Sequence, residues 1–189
     1  MDALNLLTQD HRSVERLFKA YERTGTGTSN QKQRLAVQII RELSIHASIE
    51  EQFLYPTARE LSKSFDAPIL EALEEHHLAK VTLAELEKMS PRDERFDAKM
   101  AVLMENIRHH VEQEEGDLFP KLKRFMDRSQ LALLGEAMEQ EKATDSPPES
   151  VVSDAVAKFL ETGTELVLGT TRAATRVVTS HLNSARSSR

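Results

Sequence analysis

One eleven-residue pattern occurs twice in this chain, and it limits what the rest can fold into. Residues 46–56, His-Ala-Ser-Ile-Glu-Glu-Gln-Phe-Leu-Tyr-Pro, and residues 110–120, His-Val-Glu-Gln-Glu-Glu-Gly-Asp-Leu-Phe-Pro, both fit H-x3-E-E-x2-L-[YF]-P. Each copy follows an acid-His pair at nearly the same distance: His11 of Asp10-His11 lies 35 residues before His46, and His76 of Glu75-His76 lies 34 before His110. The repeating unit is therefore acid-His, a spacer, then HxxxE.

The surrounding periodicity is helical. Leu4, Leu7, His11, Val14, Phe18 and Tyr21 recur at threes and fours over residues 2–23. A Thr/Gly/Ser/Asn loop at 24–30 ends that segment, with Asn30 a candidate cap for the next. A second helix is expected from about Gln31 through Leu35, Ile39, Leu43, His46, Glu50 and Phe53, bending or breaking near Pro56 and reaching about Ser62. Asp66, read as an N-cap with Pro68 in the first turn, opens a third helix carrying Leu73, His76, Leu83 and Leu86. After Ser90-Pro-Arg-Asp93, a fourth runs from about Arg95 through Met100, Leu103, Ile107, His110 and Glu114 past Pro120. Ser129 is the expected cap of a further helical piece, Gln130 to Lys142.

Four long helices on short loops predict an all-α fold, an antiparallel up-down four-helix bundle made of two helix hairpins related by a pseudo-twofold. The bundle is expected over residues 1–143, and the Asp-Ser-Pro-Pro-Glu-Ser run makes 144–150 the linker. Residues 151–189 read as a C-terminal amphipathic tail helix with a disordered end. The tail's basic face, with Lys158, Arg172 and Arg176, is too sparse for a membrane surface. Packing on the bundle, or on a second copy in a homo-oligomer, is expected instead.

Residues four apart share a helix face, so His46 aligns with Glu50 and His110 with Glu114, and these are the apolar, inward faces. Burying imidazoles and carboxylates without partners would cost several kcal/mol each, on the order of the penalty for unsatisfied polar groups. A pair of metal ions offsets that cost, because each imidazole offers one lone pair and each carboxylate can bridge two cations. With no cysteine in the chain, thiolate sites, iron–sulfur clusters and disulfides are excluded. Mixed imidazole and carboxylate donors suit iron or manganese, with zinc a substitute. Four His, two bridging Glu and a solvent bridge would fill about 10 of ~12 positions of two six-coordinate ions, leaving roughly one open position on each.

The net charge of −6 is unevenly spread: the first 150 residues hold 20 Lys+Arg against 28 Asp+Glu and the rest 5 against 3, and the acidic main body argues against a nucleic-acid partner. The N-terminal sequence lacks a basic segment before a long apolar run, and no 18-residue apolar stretch follows. A soluble, cytoplasmic protein with membrane contact disfavoured is the expectation.

At these motifs the chain resembles the hemerythrin-like family, the HHE cation-binding domain, over roughly residues 3–126. That family places a His on helix one, H-x3-E followed by [YF]-P on helix two, E-H on helix three and H-x3-E-E on helix four. The resemblance implies that His11, His46, Glu50, His76, His110 and Glu114 are ligands of an oxo- or hydroxo-bridged non-haem di-iron centre. It also implies reaction with O2, NO or hydrogen peroxide, as binding, sensing or catalase-like detoxification. In the O2 carriers a second His follows one turn after the helix-three His; here that position is Lys80, which weakens simple O2 storage. The cysteine-bearing N-terminal segment of family members that repair iron–sulfur centres is absent from this sequence. Iron storage, sensing or delivery without turnover stays open as an alternative, as does a structural bundle assembled through its tail.

Other residues near the motifs have blander readings beside the functional ones. Glu15, Glu42 and Asp117 fall near the ligand faces and could orient an imidazole or add a ligand, but solvated or helix-pairing roles are at least as well supported. Glu51 and Glu115 read as surface charges. His77 and His109 each adjoin a ligand position and so point about 100° away from it. Tyr55 and Phe119 read as packing aromatics, since on an unbroken helix Tyr55 would face away from the metals.

Overall fold

The computed structural model describes residues 1–25 and 28–144, and within that range the chain is helical without a strand. The expected linker from residue 145 and the tail at 151–189 lie outside the described residues. The helices are α1 (Ala3–Glu22), α2 (Ser29–Ile49), α3 (Tyr55–Leu61), α4 (Asp66–Lys88), α5 (Phe96–Gln113), α6 (Phe119–Phe125) and α7 (Arg128–Thr144). α1 packs on α2 and α7, α4 packs on α5, and α2 meets α4.

Pro56 does not break its helix. α2 passes into α3 through a π-helical turn, Glu50–Leu54, and α5 passes into α6 through its counterpart, Glu114–Leu118. In each turn a backbone N–H reaches five residues back, from Tyr55 to the Glu50 carbonyl and from Phe119 to the Glu114 carbonyl. The prolines then fall in the first turn of α3 and α6, where no intrahelical N–H is needed.

The caps differ in detail from those the sequence suggests. Asp2 caps α1 by accepting from the Asn5 N–H at 2.9 Å. α2 begins at Ser29 rather than after Asn30, behind Thr28. Asp66 is already helical, and its carboxylate takes Arg59 at 2.9 Å instead of capping. At the start of α7 it is Asp127, not Ser129, that accepts from the backbone, from Ser129 and Gln130 at 2.9 and 3.0 Å.

The apolar interior is in two parts. Leu4, Leu7, Ile49, Phe53, Ile69, Leu122 and Leu134 belong to one core; Val14, Phe18, Leu43, Leu83, Met100, Leu103 and Ile107 belong to the other. Along α1 and α4 the chain runs from the first core to the second, and along α2 and α5 it runs from the second back toward the first. α1, α2, α4 and α5 each cross from one core to the other at a histidine: His11, His46, His76 or His110. At the far end of the second core Asp97 accepts from Tyr21 at 2.7 Å and Lys32 at 2.5 Å, tying α1, α2 and α5 together. α7 closes the first core, and Gly135 sits so near the N-terminus that an added Cβ would lie 2.3 Å from the Met1 carbonyl oxygen.

Candidate metal centre

The layer between the two cores is polar and almost closed to solvent. His11, His46, His76, His110, Glu50 and Glu114 are all buried, Glu50 completely. His11, His46, Glu50 and Glu114 bring one donor atom each within 4.8 Å of one another, and Glu50, His76 and His110 do the same. All six residues singled out by the repeat are thus brought together. Nε2 of His11 and His46 lie 3.1 Å apart, as do Nε2 of His76 and His110. Glu50 Oε2 lies 3.3 Å from His46 Nε2 and 3.4 Å from His76 Nε2, between the two pairs. Glu114 Oε2 takes the matching place, 3.3 Å from His11 and 3.6 Å from His110.

The other ring nitrogens point outward to acids. His11 Nδ1 bonds Glu115 at 2.8 Å, His76 Nδ1 bonds Glu51 at 2.9 Å, and His110 Nδ1 bonds Glu75 at 2.7 Å. His46 Nδ1 faces Asp10 at 3.8 Å. Glu51 is therefore more than the surface charge the sequence suggests, and Glu115, exposed as expected, bonds an imidazole as well: each lies about 100° round its helix from the inward Glu, which aims it at the His of a neighbouring helix. The acid-His pairs acquire a role as well, since Asp10 and Glu75 serve the His of the following motif rather than their own neighbour.

A carboxylate accepts and does not donate, so the proton of His11, His76 and His110 sits on Nδ1 and a lone pair is left on Nε2. Between His76 and His110 lone pair then faces lone pair at 3.1 Å, and His11 turns its lone pair to His46 Nε2 at the same distance. Both oxygens of Glu50 and Oε2 of Glu114 are buried without a hydrogen-bond partner. Such groups are costly in a low-dielectric interior unless a cation lies among them. The donor set fits one: neutral imidazoles oriented by outer carboxylates, with two further carboxylates between them. Charge regulation agrees. Burial and the adjacent Glu114 push Glu50 well above the carboxylate range. Burial presses Glu114 upward too, but the approach of His11 and the other nearby imidazoles outweighs it and holds this acid low. Burial lowers His46 to about 4 and also lowers His76, favouring the neutral, donor form.

Tyr55 enters the centre, contrary to the expectation for an unbroken helix. It lies nine positions beyond His46, which at about 100° per residue is half a turn away. The π turn takes up one extra residue and rotates the downstream helix by about 100°. Buried Tyr55 Oη then donates to Glu114 Oε1 at 3.0 Å and lies 3.3 Å from His76 Nε2. Phe119, rotated in the same way, stacks on His11 at 5.9 Å between ring centroids.

Of the three secondary candidates, Glu15 and Asp117 pair with cations rather than imidazoles. Glu15 lines a cavity beside the cluster but gives its carboxylate to Arg108 at 3.0 and 3.2 Å, because Arg108 on α5 faces it across the helix pair. Asp117 is exposed and pairs with Lys121. Glu42 is half-buried and belongs to neither donor group. His109 is exposed and bonds Gln113, and His77 is half-buried outside both donor groups. Lys80, one turn after His76, bonds both oxygens of Glu51 at 2.6 Å, and Lys142 of α7 bonds Asp10.

Comparison with known proteins agrees with this geometry. The model of the Hemerythrin HHE cation binding domain matches residues 2–122. The solved structure of a Hemerythrin HHE cation binding domain-containing protein from Mycobacterium kansasii superposes with a TM-score of 0.65, covering 94% of this chain and 99% of that one. At 20% identity that likeness concerns the fold. A curated protein of Nostoc sp., described as a DNA nickase, is 28% identical over 133 residues, 69% of this chain and 36% of its own length. The chain thus spans about a third of that relative. Among the described residues no helix is long and apolar enough to cross a membrane.

Proposed function

This chain belongs to the hemerythrin HHE cation-binding domain family, and we propose that its helices form an antiparallel bundle holding two iron ions that react with O2, NO or hydrogen peroxide. The alternating direction of α1, α2, α4 and α5 between the two cores supports the bundle. The observation that carries the metal reading is the set of Nε2 lone pairs and partnerless carboxylate oxygens enclosed in one buried layer. His11, His46, Glu50 and Glu114 would hold one ion; His76 and His110 would hold the other, sharing Glu50 and Glu114 with the first. Zinc or manganese could occupy the same donors.

Two bound irons would supply one- and two-electron redox change and open positions for a diatomic or peroxide ligand. The chain's own groups set the conditions. Glu51, Glu75 and Glu115 hold three imidazoles as Nδ1–H tautomers with Nε2 turned inward. The apolar cores on either side exclude water. Tyr55 Oη, the hydroxyl hydrogen-bonded to Glu114, is placed to give or take a proton there.

Elemental analysis of freshly isolated protein, with a visible spectrum of the same sample, tests this reading. About two irons per chain, with charge-transfer bands that change on adding O2, NO or peroxide, are expected. One iron or none in protein never exposed to chelator, or no spectral response to any of the three, would overturn it. Strand cleavage, named in the description of a relative of which this chain spans 36%, stays outside the proposal.

A further inference from the structure

Beside the cluster, on the side of the second core, lies a cavity of about 130 Å³. Val14, Phe18, Leu43, Ala79, Leu83 and Ile107 form much of its wall, and the four cluster histidines close its inner end. The wall is almost wholly apolar. A volume of this size could hold several waters at about 30 Å³ each, but a buried water needs two to four polar partners. Here the cluster histidines and the ion-paired groups at the rim are the polar groups of the lining. By size and lining the space resembles apolar cavities of about 150 Å³ that stay dry and admit benzene or xenon.

At the outer rim stand Glu15, Lys80 and Arg108. Their charges are engaged with one another and with neighbouring acids: Arg108 with Glu15 and with Glu22 at 2.9 Å, Lys80 with both oxygens of Glu51. An anionic ligand would have to break those pairs, whereas an uncharged one would leave them in place. O2 or NO would fill only a fraction of the space.

The geometry points to a binding site for the alkyl or aryl body of a small uncharged molecule, of about benzene size, whose polar end would face the cluster. This rests on the proposed function of the same centre and narrows it: the ligand that fills the site has an apolar body and is not hydrogen peroxide alone. Ala79, one turn from His76 and buried in the wall, controls the space, because a larger side chain there projects into the cavity.

The test uses the full chain as isolated, with xenon and benzene as probes. Crystals held under xenon pressure should show the atom between Val14, Leu83 and Ile107. Calorimetry should give saturable benzene binding that weakens at least tenfold in Ala79→Leu, with far-ultraviolet dichroism and thermal midpoint checking that the variant folds. Ala47→Val, at a second wall position, should weaken it in the same direction. Ordered waters in place of xenon, no benzene binding, or binding unchanged in folded variants would overturn the inference. Neither probe depends on which metal is bound, so failure here leaves the iron content untouched, and absence of iron leaves the cavity result standing.

Discussion

Replacing Glu51 by Gln separates the charge of an outer acid from its shape. Glu51 accepts from His76 Nδ1 at 2.9 Å and from Lys80 at 2.6 Å, and its side chain is only 21% exposed. Gln can still accept from Nδ1, so the tautomer survives, but the imidazole becomes a poorer donor and Lys80 keeps its positive charge without the balancing carboxylate. Losing such an outer partner costs about 10–100-fold in metal affinity, or about 1.4–2.7 kcal/mol. Glu115 makes the equivalent bond at 2.8 Å but is 40% exposed, so solvent screens it and Glu115→Gln should fall near the tenfold end. Competition titration against a chelator of known affinity measures both, with Asp117→Asn as the control because Asp117 is exposed and reaches only Lys121. The double variant Glu51→Gln, Lys80→Met removes the excess cation and should recover part of the loss. Affinity within twofold of wild type for Glu51→Gln, or an equal loss in Asp117→Asn, would refute the link between Glu51 and the metal.

Tyr55→Phe deletes the hydroxyl that donates to buried Glu114 and should destabilise metal-free protein by about 1.5–3 kcal/mol in denaturant unfolding, the range for hydrogen bonds to charged groups. Gly135→Ala sets two effects against each other: helix propensity favours Ala by about 1 kcal/mol, whereas a Cβ 2.3 Å from the Met1 carbonyl forces α1 and α7 apart at a cost of about 1–3 kcal/mol. Net destabilisation by chemical unfolding is expected, and net stabilisation would show that α7 does not dock as described. In metal-free protein, His46 is held by burial at about 4, below its unfolded value near 6.5, so the unfolded chain binds the extra proton between them. Stability is therefore present above pH 6.5 and lost as pH falls toward 4, by about 3 kcal/mol from this residue. His76, also lowered by burial, adds in the same sense; His110, which the bond with Glu75 raises against the effect of burial, loses its contribution as pH rises. Thermal midpoints against pH should show the acid loss, and His46→Gln should flatten it.

The six buried donors were legible because a helix keeps residues four apart on one face and because the pattern occurs twice. The place of Tyr55 was hidden for one physical reason. At about 100° per residue, a phase carried from His46 through residue 55 puts Tyr55 outside, and the π turn at Glu50–Leu54 swings it back by about 100°. Nothing in Glu-Glu-Gln-Phe-Leu states that its hydrogen bonds reach five residues back. Glu51 and Glu115 were visible as the second acid of each pair, but their partners, His76 and His11, sit on other helices, and only packing brings them together. The acid-His pairs carried a usable signal: an acid before a donor His on one helix can reach the donor His of the next, as Glu75 does for His110.

A duplicated unit by itself would give two equal metal positions, and the differences between the halves decide which is held more firmly. Around His11, His46, Glu50 and Glu114 four donors converge; around His76 and His110 the converging group has three, with Glu50 the only carboxylate in it. Glu114 Oε2 lies 3.3 Å from His11 but 3.6 Å from His110, and Tyr55 occupies its other oxygen, so this carboxylate leans toward the first position. The second position also adjoins Lys80, a cation one turn beyond His76, where the first has Glu15 one turn beyond His11. Fewer donors weaken cation binding, and the flanking charges are already paired, Lys80 with Glu51 and Glu15 with Arg108. Chelation should therefore remove the two ions in separate phases, with the fast phase from the His76/His110 position. Substituting His76→Gln should abolish the fast phase and leave the slow one, and a single phase in wild-type protein would mean that the two positions are held alike despite these differences.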